Sequence, residues 1–97
     1  HMHYGSNGRI SGCELRIPGT NYRVDGHIKG TMTVIEYHGD YWHGNPAKYD
    51  PKKMHPLKHK TFGEIHQETI DRMQEIKDSG YKVLYVWGSD TSNIIEF

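Results

Sequence analysis

The first half of the chain carries two extended-strand patterns. Over residues 22–28, Tyr22, Val24 and Ile28 point one way and Arg23, Asp25 and His27 the other, which is the period-2 alternation of a strand. Thr31 to Tyr37 is rich in β-branched residues and predicts the next strand, with Lys29-Gly30 as a tight turn between the two. Together they predict an antiparallel hairpin. Gly44, Pro46, Pro51 and Pro56 then exclude a continuous helix or a central strand over 44–60. At Thr61 the period changes. Thr61 and Glu64 fit a capping box, and Phe62, Ile65, Met73 and Ile76 form one apolar stripe on a helix that runs to about Ser79 and stops at Gly80. Tyr81 to Trp87 reads as a buried strand. A helix followed by that strand is an αβ unit, which sets the strand beside the hairpin. Elsewhere the pattern is weak. Residues 3–12 are rich in Gly, Ser and Asn and predict a frayed segment, Cys13 to Ile17 a short strand or helical turn ended by Pro18-Gly19, and Ser89 to Phe97 carries no clear signal. The fold class that follows is α/β: a mixed sheet, built from a hairpin and a strand after the main helix, flanked by helices.

Composition narrows the class. A chain of 97 residues, 34% hydrophobic and 25% charged, is enough for one small domain, expected over 13–97. Mean hydropathy of -0.84 predicts a sizeable share of exposed loop. His1-Met2 reads as the remnant of a cleaved tag, so residues 1–12 are set apart and the chain is expected to be a fragment of a longer protein. A single cysteine, Cys13, excludes an internal disulfide framework and a multi-cysteine zinc site within the chain, and suits a reducing, cytoplasmic compartment. There is no membrane-length apolar run and no signal-peptide pattern. With 12 basic and 12 acidic residues the net charge is zero, which argues against strong nonspecific nucleic-acid binding. The charge is nonetheless uneven: Lys48, Lys52, Lys53, Lys58 and Lys60 crowd residues 48–60, either as a solvated loop or as a phosphate contact.

The chemistry is concentrated in Val34-Ile35-Glu36-Tyr37-His38-Gly39-Asp40-Tyr41-Trp42-His43-Gly44. Glu36 and His38 are two apart on a strand and share a face, and Asp25 can approach Glu36 across the hairpin. Carboxylates brought together repel unless they are solvated, protonated or bridged by a cation, and a hard ion such as Mg²⁺ takes oxygen ligands and keeps waters. The expected ligands are Asp25, Glu36 and Asp40. A neutral His38 can remove a proton from a metal-held water, and His43 can protonate a leaving oxygen or meet a phosphate. This set suits phosphodiester hydrolysis. A zinc site from His38 and His43 with Asp40 or Glu36 is the less favoured alternative, on ligand softness. Tyr41 and Trp42 read first as wall residues and second as a stacking surface for bases. His27, His55, His59 and His66 have no metal-demanding spacing and read as surface residues. Glu14 can reach the site from the N-terminal segment, though no spacing rule places it there.

Asp25, with Glu36-Tyr37-His38 about ten residues on, resembles the PD-(D/E)xK nuclease pattern with His in the Lys position. Val34-Ile35-x-x-His38-Gly39-x-Tyr41-Trp42-His43 is similar to the active-site run of very short patch repair endonucleases. Asp71-Arg72 and Gly80-Tyr81-x-Val83-Leu84-x-Val86-Trp87 resemble that family's helix-to-strand segment. The resemblance spans roughly residues 20–88. It implies a restriction-endonuclease-like core and Mg²⁺-dependent cutting of double-stranded DNA, with Mn²⁺ as a possible substitute. Asp25 would be the central metal ligand, His38 the general base and His43 the second histidine near the scissile phosphate. The departures matter too. Asp40 stands where the repair enzymes have the first zinc-binding cysteine, so no structural zinc is expected. Glu36 replaces an apolar residue, and with Asp40 it resembles the phage-borne homing endonucleases described by an E-D-x-H-D signature. Asp25, His38 and Asp40 would be parts of that signature, with Glu14 or Glu36 as its first member. The expectation is a homing endonuclease catalytic domain, contacting DNA through Trp42, Lys48, Lys52 and Lys53, with a second copy of the chain as partner where both strands are cut. A mismatch-repair nicking enzyme and a catalytically silent DNA-binding module are the rivals.

Overall fold

The computed structural model describes residues 10–11, 15–20 and 22–97. Among them the strands are β1 (Ile10–Ser11), β2 (Leu15–Arg16), β3 (Arg23–Val24), β4 (Gly26–Ile28), β5 (Thr33–His38), β6 (Lys82–Trp87) and β7 (Asp90–Glu96); the helices are α1 (Asp40–His43) and α2 (Phe62–Asp78). The longer strands form a mixed sheet in the order β4-β5-β6-β7, with the two-residue β1 beyond β4 at its edge. A separate two-stranded ribbon joins β2 to β3. The architecture is α/β.

The expected hairpin is β4–β5, antiparallel, with Gly26 opposite Ile35 and Ile28 opposite Thr33. Its turn spans four residues, 29–32, and Gly30 takes a φ of 80°, a conformation open to glycine at little cost. The strand expected over 22–28 is divided instead. A bend at Asp25 ends β3, which pairs with β2, and β4 begins one residue later. A single pattern of alternation therefore feeds two different sheets.

β5 and β6 run parallel, with Val34 opposite Val83, Glu36 opposite Tyr85 and His38 opposite Trp87. Parallel neighbours need a long crossover, and α2 supplies it. Its start is the expected capping box: the Thr61 hydroxyl accepts from the Glu64 amide, and the Glu64 carboxylate accepts from the Thr61 amide at 2.8 Å. Phe62, Ile65, Met73 and Ile76 are all buried, as the stripe requires, and Thr69 completes their row. The central core joins Met73 and Ile76 of α2 to Val34 and Val83 of the sheet, closed at one side by Ile17 and Val24 of the ribbon. On β5, Val34, Glu36 and His38 share the face toward α2. That places two ionisable groups where a strand ordinarily puts aliphatic ones.

Two regions depart from expectation. Most of residues 89–97 form β7 (Asp90–Glu96), antiparallel to β6 across a two-residue Gly88-Ser89 turn. Residues 10–11, expected in the frayed segment, pair with β4. Residues 1–9, Cys13 and Glu14 lie outside the described residues. Among those described, no helix is long and apolar enough to cross a membrane.

Candidate active site

The C-terminal end of β5, the short α1 and the middle of α2 meet around a cluster of ionisable groups. Glu36 is only 3% exposed, and burial alone raises a carboxyl pKa. Arg72 reverses that. Its guanidinium grips the carboxylate with two bonds, Nε to Oε1 at 3.1 Å and Nη2 to Oε2 at 2.8 Å. His38 faces the same Oε1 through Nε2 at 3.5 Å. These hydrogen bonds and the charge of Arg72 outweigh desolvation and hold Glu36 below the usual carboxylate range. The guanidinium also donates to the Arg23 carbonyl, which ties α2 to β3.

His38 is 1% exposed. Its ring stacks on His43 at 4.5 Å and on Tyr85 at 5.3 Å, with the edge of Trp87 at 5.5 Å. Nε2 faces a carboxylate, and Nδ1 is buried with no hydrogen-bond partner among the described residues. His43, at the end of α1, is half-buried above it. Burial first, then the nearby His38, push the His43 pKa down to about 4, with Glu36 opposing the shift and Lys58 and Arg72 adding to it. His43 is therefore neutral at pH 7. It borders a groove of about 160 Å³ lined by Trp42, Lys58, Glu68, Thr69 and Arg72.

The two other predicted carboxylates lie apart from this pair. Asp25 is exposed at the bend between β3 and β4, and its Oδ2 accepts from the Tyr37 amide at 2.8 Å. The register thus brings Asp25 to β5 as expected, but onto the backbone rather than onto the Glu36 carboxylate. Asp40, at the first position of α1, accepts from Asn45 Nδ2 at 2.6 Å and from the Ser89 hydroxyl at 3.0 Å. Burial alone would raise its pKa, but those bonds and the charge of Lys48 bring it below the usual value. Asp40 joins α1 to the β6–β7 turn.

Asp25, Glu36 and Asp40 therefore do not converge, and among the described residues no three His, Cys, Asp or Glu side chains are grouped to hold a metal. Glu36 does not fit as a ligand, because Arg72 takes both of its oxygens; Asp40 accepts from the Asn45 and Ser89 side chains on Oδ1 and is held at the β6–β7 turn, away from Glu36. Asp25 fits: it is exposed, and an ion such as Mg²⁺ needs only one or two protein carboxylates and keeps its waters.

The aromatic residues divide as their chemistry suggests. Tyr41 is a wall residue, against His55 at 4.2 Å and near Tyr49 and Phe62. Trp42 is 49% exposed at the groove, with the Lys58 ammonium 5.7 Å from its ring and bonded to its carbonyl. Lys48, Lys52 and Lys53 are exposed on the loop. Lys60 pairs with Glu68.

Two histidines expected at the surface are not there. His55 is 1% exposed, and its Nδ1 accepts the amides of Leu57 and Lys58, so it organises the loop from inside. His66 is partly buried near Trp87, and burial, followed by the nearby His38, lowers its pKa. Lys58 belongs to the lysine run expected as a solvated loop or a phosphate contact, whereas Thr69 and Arg72 were not expected at the site. The signal for Thr69 lay in spacing, since it sits midway between Ile65 and Met73 on the buried stripe. A polar residue in a core register needs a partner.

Comparison with family models, with curated proteins and with solved structures returns no match to this chain.

Proposed function

We propose that this chain is the catalytic core of a DNA endonuclease that hydrolyses phosphodiester bonds, of the homing-endonuclease kind. The observation that carries the reading is the groove in which neutral His43 meets the cations Lys58 and Arg72. A phosphate there finds the Lys58 ammonium, the guanidinium of Arg72 already paired with Glu36, and a proton-handling imidazole that is not itself protonated at pH 7, with the Glu68 carboxylate on the same lining. The mixed sheet, with its parallel β5–β6 pair and covering helix, suits a restriction-endonuclease-like core.

In this reading the roles shift from those the strand pattern suggested. His43, not the buried His38, faces the substrate. His38 supports it from beneath as a stacked ring. Glu36 holds Arg72 rather than a metal. Asp25 is the carboxylate that would hold Mg²⁺ or Mn²⁺, which would supply positive charge against the developing charge on the phosphate. Trp42 offers a face to a base, and Lys48, Lys52 and Lys53 meet backbone phosphates without reading sequence.

The test is cleavage of supercoiled plasmid. Nicking or linearisation is expected with Mg²⁺, and is expected to be lost with EDTA and in Asp25→Ala. Cleavage that persists in both would remove Asp25 and the metal from the reading. One observation favours a second reading, a silent DNA-binding module: the closed Arg72–Glu36–His38 contact leaves those three groups engaged with one another. Retained DNA binding with no cleavage under any divalent ion would select it.

A further inference from the structure

The groove contains one contact in which a single hydroxyl proton has two neighbours. The Thr69 hydroxyl lies 3.1 Å from His43 Nδ1 and 3.2 Å from the Ile65 carbonyl oxygen. A carbonyl only accepts, so while the single hydroxyl proton of Thr69 serves Ile65 it is unavailable to His43. The oxygen that faces His43 must then accept, and Nδ1 must carry the hydrogen. A neutral imidazole has one N–H, so Nε2 keeps its lone pair. No described residue bonds to Nε2, and the ring borders the groove. We propose that Thr69 is a positioning residue: it locks His43 in the Nδ1–H tautomer, so that Nε2 is the proton acceptor presented to whatever occupies the groove.

The inference rests on the endonuclease reading for its reaction but not for its geometry. In that reaction Nε2 takes a proton from a water. The electron pair of the broken O–H bond forms the new O–P bond as the ester O–P bond breaks. The departing alkoxide takes a proton from solvent, and imidazolium later returns its Nε2 proton to solvent. During the step Nδ1–H stays on Thr69. A ring free to flip or to change tautomer would present a lone pair only part of the time. The titratable and charged groups around His43 are Glu36 and His38 on β5, Lys58 on the loop, and Glu68 and Arg72 on α2. Burial first, with Lys58 and Arg72 adding to it, disfavours a resting imidazolium, which keeps Nε2 available at neutral pH.

The experiment is a long-range ¹H–¹⁵N correlation of the histidine rings in the labelled chain at pH 7, with His43 assigned through His43→Gln. The expected result is a protonated, pyrrole-type Nδ1 and a pyridine-type Nε2, retained in Thr69→Ser and lost in Thr69→Val, where the accepting oxygen is gone. A wild-type His43 in the Nε2–H tautomer would overturn the inference without any variant having to fold. In the plasmid assay Thr69→Val is expected to lower kcat at least ~10-fold with KM little changed, and Thr69→Ser to stay within about 3-fold of wild type, given that a positioned base contributes about 10²–10⁴-fold. Equal cleavage by Thr69→Val would overturn the positioning role while leaving the nuclease reading intact. An Nδ1–H tautomer in a protein that cleaves nothing supports the Thr69 geometry and overturns the nuclease reading, so the two failures are separable.

Discussion

At the scale of single residues, Glu36 and Arg72 show how a strand position meant for an aliphatic side chain can hold a carboxylate. A buried anion survives only if its attraction to a partner exceeds the cost of leaving water, and the two-bond grip of Arg72 provides that. Removing the cation alone should therefore hurt more than removing the pair. Arg72→Met leaves Glu36 ionised or forces it to take up a proton, and is expected to cost about 3 kcal/mol in urea unfolding with an unchanged slope. Adding Glu36→Leu to that variant should recover most of the loss, because the uncompensated charge is gone. If the double variant is no more stable than Arg72→Met, the pair is not the unit that sets stability here. Both variants lie in the proposed site, so stability rather than cleavage is the quantity to follow.

At the scale of elements, Gly44 governs how α1 is attached to α2. It follows the last residue of α1 with φ 66° and ψ 48°, and a Cβ there would stand 2.4 Å from the Phe62 carbonyl oxygen. Both atoms are held by backbone, so neither can yield as a side-chain tip would. Gly44→Ala is expected to lower stability by about 3 kcal/mol, combining left-handed strain with that clash; a loss below ~1 kcal/mol in thermal or urea unfolding would mean that α1 can lift away from α2. Gly44 stood out in the sequence only as a helix-breaking residue, because a close approach between elements leaves no local mark. The elements that were legible had local causes. Thr61 and Glu64 set the start of α2, its apolar spacing set the buried face, and β-branched residues marked β5. The hairpin register brought Asp25 to β5. What stayed hidden depended on partners far along the chain. Glu36 looked like a free ligand because its partner is 36 residues away, and His55 looked exposed because its aromatic box includes Phe62 of α2. β7 was missed for a different reason. Its Gly88-Ser89 turn is a recognisable hairpin signal, but Asp90-Thr91-Ser92-Asn93 lack the apolar alternation expected of a paired strand. An edge strand with little buried area needs none.

At the scale of the whole molecule, these groups make stability depend on pH in one direction. The His43 pKa falls to about 4 in the fold against an ordinary value near 6.5, so between those limits the unfolded chain binds a proton that the native chain does not. Stability then rises with pH across that window and falls as the protein is acidified. His66 is shifted the same way by burial. Glu36 and Asp40, held below their ordinary values, add stability that is present above the unfolded carboxylate pKa and is lost on acidification through their folded pKa values. All four therefore destabilise the acid side. His43 acts first, between about pH 6.5 and 4, and the carboxylates follow below about pH 4.5. At ~1.4 kcal/mol per pKa unit, and discounted for a half-exposed ring, His43 accounts for about 1–2 kcal/mol of the loss by pH 4. The measurement is Tm against pH for the native chain and for His43→Phe, which keeps the stacking on His38 but cannot bind a proton. A clear fall in Tm from pH 7 to 5 is expected in the native chain and a shallower one in the variant. Parallel curves would place the acid sensitivity in other groups and would mean that His43 is no harder to protonate in the fold than in the unfolded chain.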